Sequence, residues 1–393
     1  MLLSLALIII AGMLASKACS LLRLPSLIGM LAAGILLGPY VANLIDDSIL
    51  NISADIRKVA LIVILIRAGL GLDMSGLKKI GRPALLMCFL PACFEIGAIV
   101  LIGPKLLGLS YSEAAVLGAV LAAVSPAVVV PRMVRLTDEG YGMDKGIPQL
   151  ILAGASVDDV FVIVMFTTFC RIEAGIGGVD ILDFVNIPFS IVTGIVIGYS
   201  IGLVLTLLWE KLHMRDTVKL LMVMGISLLL VVAEDSIPTT LNFSSLIAVM
   251  FIGIGIKQKA PVRSKRLALK FSKAWVVAEI FLFVLVGACV NINYVGKAGF
   301  AAVALILGAL VIRMLGVLTC LIKTKLNLKE RVFTMMAYTP KATVQAAIGG
   351  VPLAMGLACG DVVLTCAVMA IIITAPIGAA AIDLSYKRLL QKK

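Results

Sequence analysis

Two adjacent carboxylates, Asp158 and Asp159, interrupt an otherwise apolar run from Ile147 to Cys170. A charge at the centre of a membrane helix costs about 2.5–3.5 kcal/mol on insertion scales, so it needs a partner or a water-filled cavity. Five more such residues lie in apolar runs: Glu95, Glu279, Arg67, Arg313 and Lys341. The chain has one histidine, His213, and its eight cysteines form no C-x-x-C pair. A zinc or thiolate site is therefore excluded, and the cysteines read as small hydrophobes. Paired carboxylates instead suit a proton or a hard cation, which prefers oxygen ligands. Ser156 precedes Asp159 by three residues and shares its helical face, so its hydroxyl can join that carboxylate. Asp158 is rotated by about 100° and faces another helix.

These residues must be held by membrane helices. Of 393 residues 61% are hydrophobic and 14% charged, and the mean hydropathy is +1.14. A soluble domain carries roughly 25% charged residues, so this composition demands an all-α integral membrane protein. A bilayer core about 30 Å thick needs about 20 apolar residues per helix. That length predicts thirteen spans, over 2–20, 25–40, 56–72, 83–103, 113–133, 147–170, 186–208, 217–233, 243–257, 274–291, 298–322, 331–354 and 361–384. The first lacks a basic n-region and a cleavage signal, and reads as a retained helix.

Charge placement orients these spans. Alternate loops, together with the C-terminal tail, hold 26 of the 34 basic residues, whereas the opposite loops collect Asp46, Asp47, Asp180, Asp183, Glu234 and Asp235. The positive-inside rule then predicts an outer N-terminus and an inner C-terminus. The net charge of +12 is thereby a matter of topology and does not imply nucleic-acid binding.

Depth sorts the intramembrane charges. At 1.5 Å rise per residue, Glu95, Asp158, Asp159, Arg313 and Lys341 fall within about 5 Å of one plane near mid-bilayer. Arg67 and Glu279 lie nearer the inner edge, where a structural role is expected. Two helices are also broken at the midplane. One carries Ser125-Pro126 and Pro131; the other carries Thr339-Pro340-Lys341. Proline removes a backbone donor and clashes with the preceding turn, and unwound backbone at that depth is tolerated only in protein or around a cavity. The breaks match as Ser-Pro-x-x-x-Val and Thr-Pro-x-x-x-Val, 214 residues apart, in spans of opposite direction. The expected architecture is an inverted repeat of spans one to six and eight to thirteen with two crossed broken helices, the pattern of secondary transporters. Lys341 is placed to offset the negative C-terminal end of a half-helix.

Ala155-Ser156-Val157-Asp158-Asp159 resembles the paired-aspartate motif of sodium/proton antiporters in the monovalent cation/proton antiporter superfamily. Tyr338-Thr339-Pro340-Lys341-Ala342-Thr343-Val344-Gln345 is similar to the NHA-type branch. The resemblance covers nearly the whole chain. It implies the sodium/proton antiporter fold and a homodimer. Segments 1–72 and 217–291 would form a scaffold and dimerisation domain, 83–170 and 298–384 an ion-transporting core, and 186–208 a linker helix. It also implies that Asp159 binds ion and proton, that Asp158 is its neighbour, and that Arg313 stands where many two-aspartate relatives carry lysine. Arginine does not lose its proton at accessible pH. A buried Glu95–Arg313 pair is therefore expected, leaving Asp158 without a dedicated cation.

The function expected is antiport of Na⁺ or Li⁺ for H⁺ by alternating access, without enzymatic activity or any cofactor beyond the transported ions. The partners expected are monovalent cations, protons, membrane lipid and a second copy of the chain, in a bacterial inner membrane. The alternative is sodium-coupled symport of an organic anion on a similar fold. That would require a roomy polar cavity, whereas adjacent carboxylates fit a small cation better.

Overall fold

The computed structural model describes residues 1–22, 24–72, 81–175, 181–212, 214–236 and 243–392. Arg23, Asp73, Lys78, Lys79, Asp180, His213 and Lys393 lie outside the described residues, as do the side chains of Ser156, Asp183, Asp235 and Lys297. In chain order the helices are α1 (Leu2–Leu21), α2 (Ser26–Leu37), α3 (Asp47–Asn51), α4 (Ser53–Gly71), α5 (Arg82–Met87) and α6 (Leu90–Leu107). There follow α7 (Tyr111–Leu121), α8 (Pro126–Glu139), α9 (Ile147–Glu173), α10 (Ile181–Lys211), α11 (Asp216–Ser236) and α12 (Ser245–Lys259). The last six are α13 (Pro261–Ala288), α14 (Ile292–Cys320), α15 (Leu328–Ala337), α16 (Thr343–Ile348), α17 (Val351–Ala354) and α18 (Gly360–Leu389).

Helices occupy the apolar segments marked in the sequence, and the segment over 331–354 is divided among α15, α16 and α17. Among the described residues, nine helical segments are long and apolar enough to cross a membrane, and Ser26–Leu37 and Thr343–Ala354 are shorter apolar stretches. The protein is thus an all-helical, multi-pass membrane protein.

Two features differ from the sequence reading. The segment expected as one span over 83–103 is interrupted between α5 and α6 at Cys88 and Phe89, because Pro91 opens α6 and supplies no amide to continue α5. In the segment over 113–133, Pro126 occupies the first turn of α8, where a missing N–H costs nothing. Pro131 is accommodated inside that helix, so the unwound stretch is Ala122–Ser125 alone.

The chain forms two compact units. One comprises Met1–Ala54, Asp73–Ala174 and Phe283–Lys393; the other comprises Asp55–Leu72 and Gly175–Leu282. In the first, α6 packs along α14, and α7 lies among α6, α9 and α18. Capping fixes where the key helices start. Ser110 accepts from Glu113 N at 3.1 Å while Glu113 Oε2 accepts from Ser110 N at 2.7 Å, closing a capping box on α7. Asn327 and Glu330 form the same box on α15, and Lys145 Nζ lies 2.8 Å from buried Glu330. In the second unit α12 packs against α10 and α11. Arg67 and Glu279 both belong to that second unit.

Candidate functional site

The two breaks meet in the first unit. Ser125 N donates to Pro340 O at 2.8 Å, so the unwound strand after α7 is tied to the unwound strand after α15. Unwinding leaves carbonyls and amides without helical partners, and buried backbone groups must find others. Here side chains supply them. Leu121 O accepts from Lys341 Nζ, and Ala122 O accepts from Arg313 Nη1. Ala123 O accepts from Gln345 Nε2 at 2.8 Å. Val124 N donates to Asp158 Oδ2 at 2.9 Å. On the other strand Tyr338 O accepts from Arg313 Nε at 3.0 Å, and Lys341 N donates to Thr374 Oγ1 at 3.0 Å. Ala342 N donates to Gln345 Oε1 at 2.8 Å. Lys341 thus sits at the carbonyl end of α7, where a cation is favoured.

The five midplane charges converge on this crossing. Arg313 forks between two carboxylates, with Nη1 2.9 Å from Glu95 Oε2 and Nη2 3.0 Å from Asp158 Oδ2. Lys341 Nζ lies 2.6 Å from Glu95 Oε1. The pair expected between Glu95 and Arg313 is present. The expectation that Asp158 lacks a dedicated cation is overturned: arginine has enough donors to hold both acids, and Lys341 takes the other oxygen of Glu95. Asp159 stands apart. Among the described residues it has no ion pair, and its Oδ1 is buried without a hydrogen-bond partner. It is also the most accessible of the five, at 7% exposure against 1% or less for the others.

Other buried oxygens of this unit without a hydrogen-bond partner include Asp158 Oδ1, Ser125 Oγ and Thr343 Oγ1, along with oxygens of Glu95, Gln149, Thr365 and Ser385. Ser125 and Thr339 lie in the breaks, as their sequence placement requires, and Pro126 and Pro340 bound them. The Ser156 side chain, expected beside Asp159, lies outside the described residues.

Three supporting residues are not singled out by the sequence alone. Gln345 bridges the broken strands. Tyr338 donates from its hydroxyl to Met87 O at 3.1 Å and lies under the Arg313 guanidinium, 5.4 Å from its ring centroid. Thr374 satisfies Lys341 N. Small residues admit these groups. A Cβ at Gly154 would stand 2.2 Å from the Tyr338 hydroxyl, and one at Gly378 would stand 2.5 Å from Pro340 Cγ. A polar residue facing a proline break is the one sequence signal that marks Gln345 and Thr374.

A buried cluster of two cations and three carboxylates around crossed broken helices, with one carboxylate unpartnered, is a cation-exchange geometry. Residues 4–383 match the family model described as sodium/hydrogen exchanger, transmembrane. The chain belongs to the sodium/hydrogen exchanger family. It is 36% identical over 391 residues to human sodium/hydrogen exchanger 9B2, covering 94% of this chain and 70% of that protein. It is 31% identical over 386 residues to human sodium/hydrogen exchanger 9B1, covering 94% and 73%. The fold resembles that of the sodium proton antiporter MjNhaP1 from Methanocaldococcus jannaschii, with a TM-score of 0.85 at 20% identity over 98% of this chain and 97% of that one. The activity of this exchanger is sodium/proton antiport; it is a transporter and not an enzyme, and these relatives give no support to organic-anion symport.

Proposed function

We propose that Asp159 is the exchange carboxylate of this antiporter, holding Na⁺ (or Li⁺) in one leg of the cycle and a proton in the other. The observation that carries this reading is the partition of charges. Arg313 and Lys341 are committed to Glu95 and Asp158, and only Asp159 has no counter-charge within the described residues. Three carboxylates face two cations, so the cluster has one surplus negative charge. One proton or one monovalent cation cancels it equally well. Asp158 is a positioning residue, held by Arg313 and the Val124 amide, whose guanidinium partner does not release a proton at accessible pH. Ser125, Thr339 and the free oxygen of Asp158 provide further oxygens for a dehydrated cation. Pro126, Pro340 and Lys341 keep the two breaks open and neutral.

In this reading the chain crosses the membrane thirteen times as an inverted repeat. Residues 83–170 and 298–384 form the moving core, and 1–72 with 217–291 the scaffold, joined by 186–208. The support is the meeting of two matched Pro-breaks from helices assigned opposite directions by the basic loops. The N-terminus is outside and the C-terminus inside, following the positive-inside rule. Two copies dimerise through the scaffold in lipid. A bacterial inner membrane, the expected location, maintains the proton gradient that such an exchanger consumes.

Electroneutral exchange follows from the single surplus charge. Reconstituted in liposomes with potassium and valinomycin fixing the voltage, Na⁺-driven proton movement should show a rate and an end-point independent of membrane potential. A voltage-dependent end-point would mean that a second carboxylate releases its proton, and would overturn the assignment of Asp158.

A further inference from the structure

Tyr338 is a fully buried phenol that the exchange cycle does not consume. It closes α15 and opens the second break. Its backbone carbonyl accepts from Arg313 Nε at 3.0 Å, and its ring lies against the guanidinium, with 5.4 Å between Arg313 Cζ and the ring centroid. Arg313 is thereby held at its near end while Nη1 and Nη2 reach Glu95 and Asp158. At the far end of the ring the hydroxyl donates to Met87 O at 3.1 Å. Met87 is buried and is the last residue of α5. In an unbroken helix its carbonyl would accept from the amide of residue 91. That residue is Pro91, which has no amide hydrogen. A buried carbonyl left without a donor is costly. The Tyr338 hydroxyl supplies the donor that Pro91 lacks.

Two further features tie this contact to the ion site. Glu95 follows Pro91 by four residues, one helical turn along α6, so the interruption aims the carboxylate that Arg313 and Lys341 share. Gly154 precedes Asp158 by four residues on α9, and a Cβ there would overlap the Tyr338 hydroxyl and crowd Met87 Cβ. The phenol therefore spans from the α5–α6 interruption to the turn of α9 before Asp158, with Arg313 on its face. Asp158 is faced by Arg313 of α14, by Lys341 and Tyr338 of the second break, by Cys88 and Cys93 around the α5–α6 interruption, and by Asp159 of its own helix. Of these only Arg313 stands within ion-pair distance. A buried carboxylate that loses its counter-charge takes up a proton or a cation in its place. The grip of Arg313 thus decides whether Asp158 is a fixed charge or a second proton site.

We propose that Tyr338 is a positioning residue for exchange: its hydroxyl, anchored on Met87 O, holds the Arg313 guanidinium on Asp158 and so keeps that carboxylate out of the proton cycle. The inference rests on the reading of Asp159 as the exchange carboxylate. The test is Na⁺-driven proton movement by the full-length protein in proteoliposomes over a pH series, with thermal unfolding of the same preparations as the control for folding. In the wild type the apparent Michaelis constant for Na⁺ should rise about tenfold per pH unit on acidification, for one competing proton. Tyr338→Phe keeps the ring and removes the anchor. Its unfolding midpoint should fall by a few degrees, and the dependence should steepen towards about a hundredfold per pH unit as Asp158 joins the titration. Gly154→Ala displaces the hydroxyl from the opposite side and should steepen the dependence likewise. Adding Tyr338→Phe to Gly154→Ala should raise the midpoint above that of Gly154→Ala alone, because the overlapping atom is gone. A Tyr338→Phe protein that is slower or less stable yet keeps the one-proton dependence would have lost packing only, and would overturn the proposal. So would a double variant no more stable than Gly154→Ala. A wild type already steeper than one proton would overturn the assignment of Asp158 first, and the positioning role with it.

Discussion

Arg313→Gln should be among the most damaging single changes available to this protein, and the structure says how it should be repaired. Arg313 is fully buried and serves Glu95, Asp158 and the carbonyls of Ala122 and Tyr338 at once. Its removal does not strand the two acids equally. Glu95 keeps Lys341 at 2.6 Å, whereas Asp158 keeps only the Val124 amide at 2.9 Å and no other cation within 4 Å among the described residues. Breaking a buried pair from one side costs typically about 3–5 kcal/mol, because a charge is left uncompensated. At 1.4 kcal/mol per decade that is roughly a hundred- to several-thousand-fold in the folded fraction. Neutralising the stranded acid should recover much of it. Arg313→Gln with Asp158→Asn should therefore be more stable than Arg313→Gln alone, and should gain more than Arg313→Gln with Glu95→Gln, which strands Lys341 instead. The assay is thermal unfolding of the purified variants, read as a double-mutant cycle. Strictly additive losses for Arg313 and Asp158, or a larger rescue through Glu95, would refute the assignment of partners.

Two further outcomes follow from the same geometry. Gln345→Ala removes the donor to Ala123 O and the acceptor of Ala342 N, which should cost about 1–3 kcal/mol for the buried groups left unsatisfied; unchanged stability would mean that the broken strands do not depend on it. If one carboxylate holds either ion, the apparent Na⁺ affinity must fall as pH drops below the apparent pKa of that site, approaching about tenfold per pH unit for one competing proton. Uptake kinetics over a pH series measure this, and a Michaelis constant independent of pH would contradict the competition.

Much of this was legible in the sequence because hydrocarbon is an unforgiving solvent. Apolar length marks helices, basic loops assign sides, and charges within spans are conspicuous by their cost. The residues of the crossing, Ser125, Pro126, Thr339, Pro340 and Lys341, were visible as proline breaks. What could not be read was pairing. Counting rise per residue gives depth along straight helices, but which carboxylate meets which cation depends on rotation and on where each helix bends. Depth alone matched Glu95 with Arg313 and left Asp158 unpaired; the guanidinium fork reaches both. The interruption at Cys88–Phe89 was hidden because Pro91 lies within a continuous apolar run. Gln345 was present in the quoted motif, yet its bridging role appears only when the other broken strand is in place.

The most direct test of the exchange site is a comparison of Asp159→Asn with Asp158→Asn in proteoliposomes, measuring proton movement on adding Na⁺ or Li⁺. Asp159→Asn removes the surplus charge while leaving every ion pair of the cluster intact, so the protein should fold normally and exchange should vanish. Asp158→Asn loosens the grip of Arg313 but leaves the exchange carboxylate in place, so the protein should be less stable and still exchange one proton per cation. Wild-type Na⁺-driven proton movement by Asp159→Asn would contradict the account.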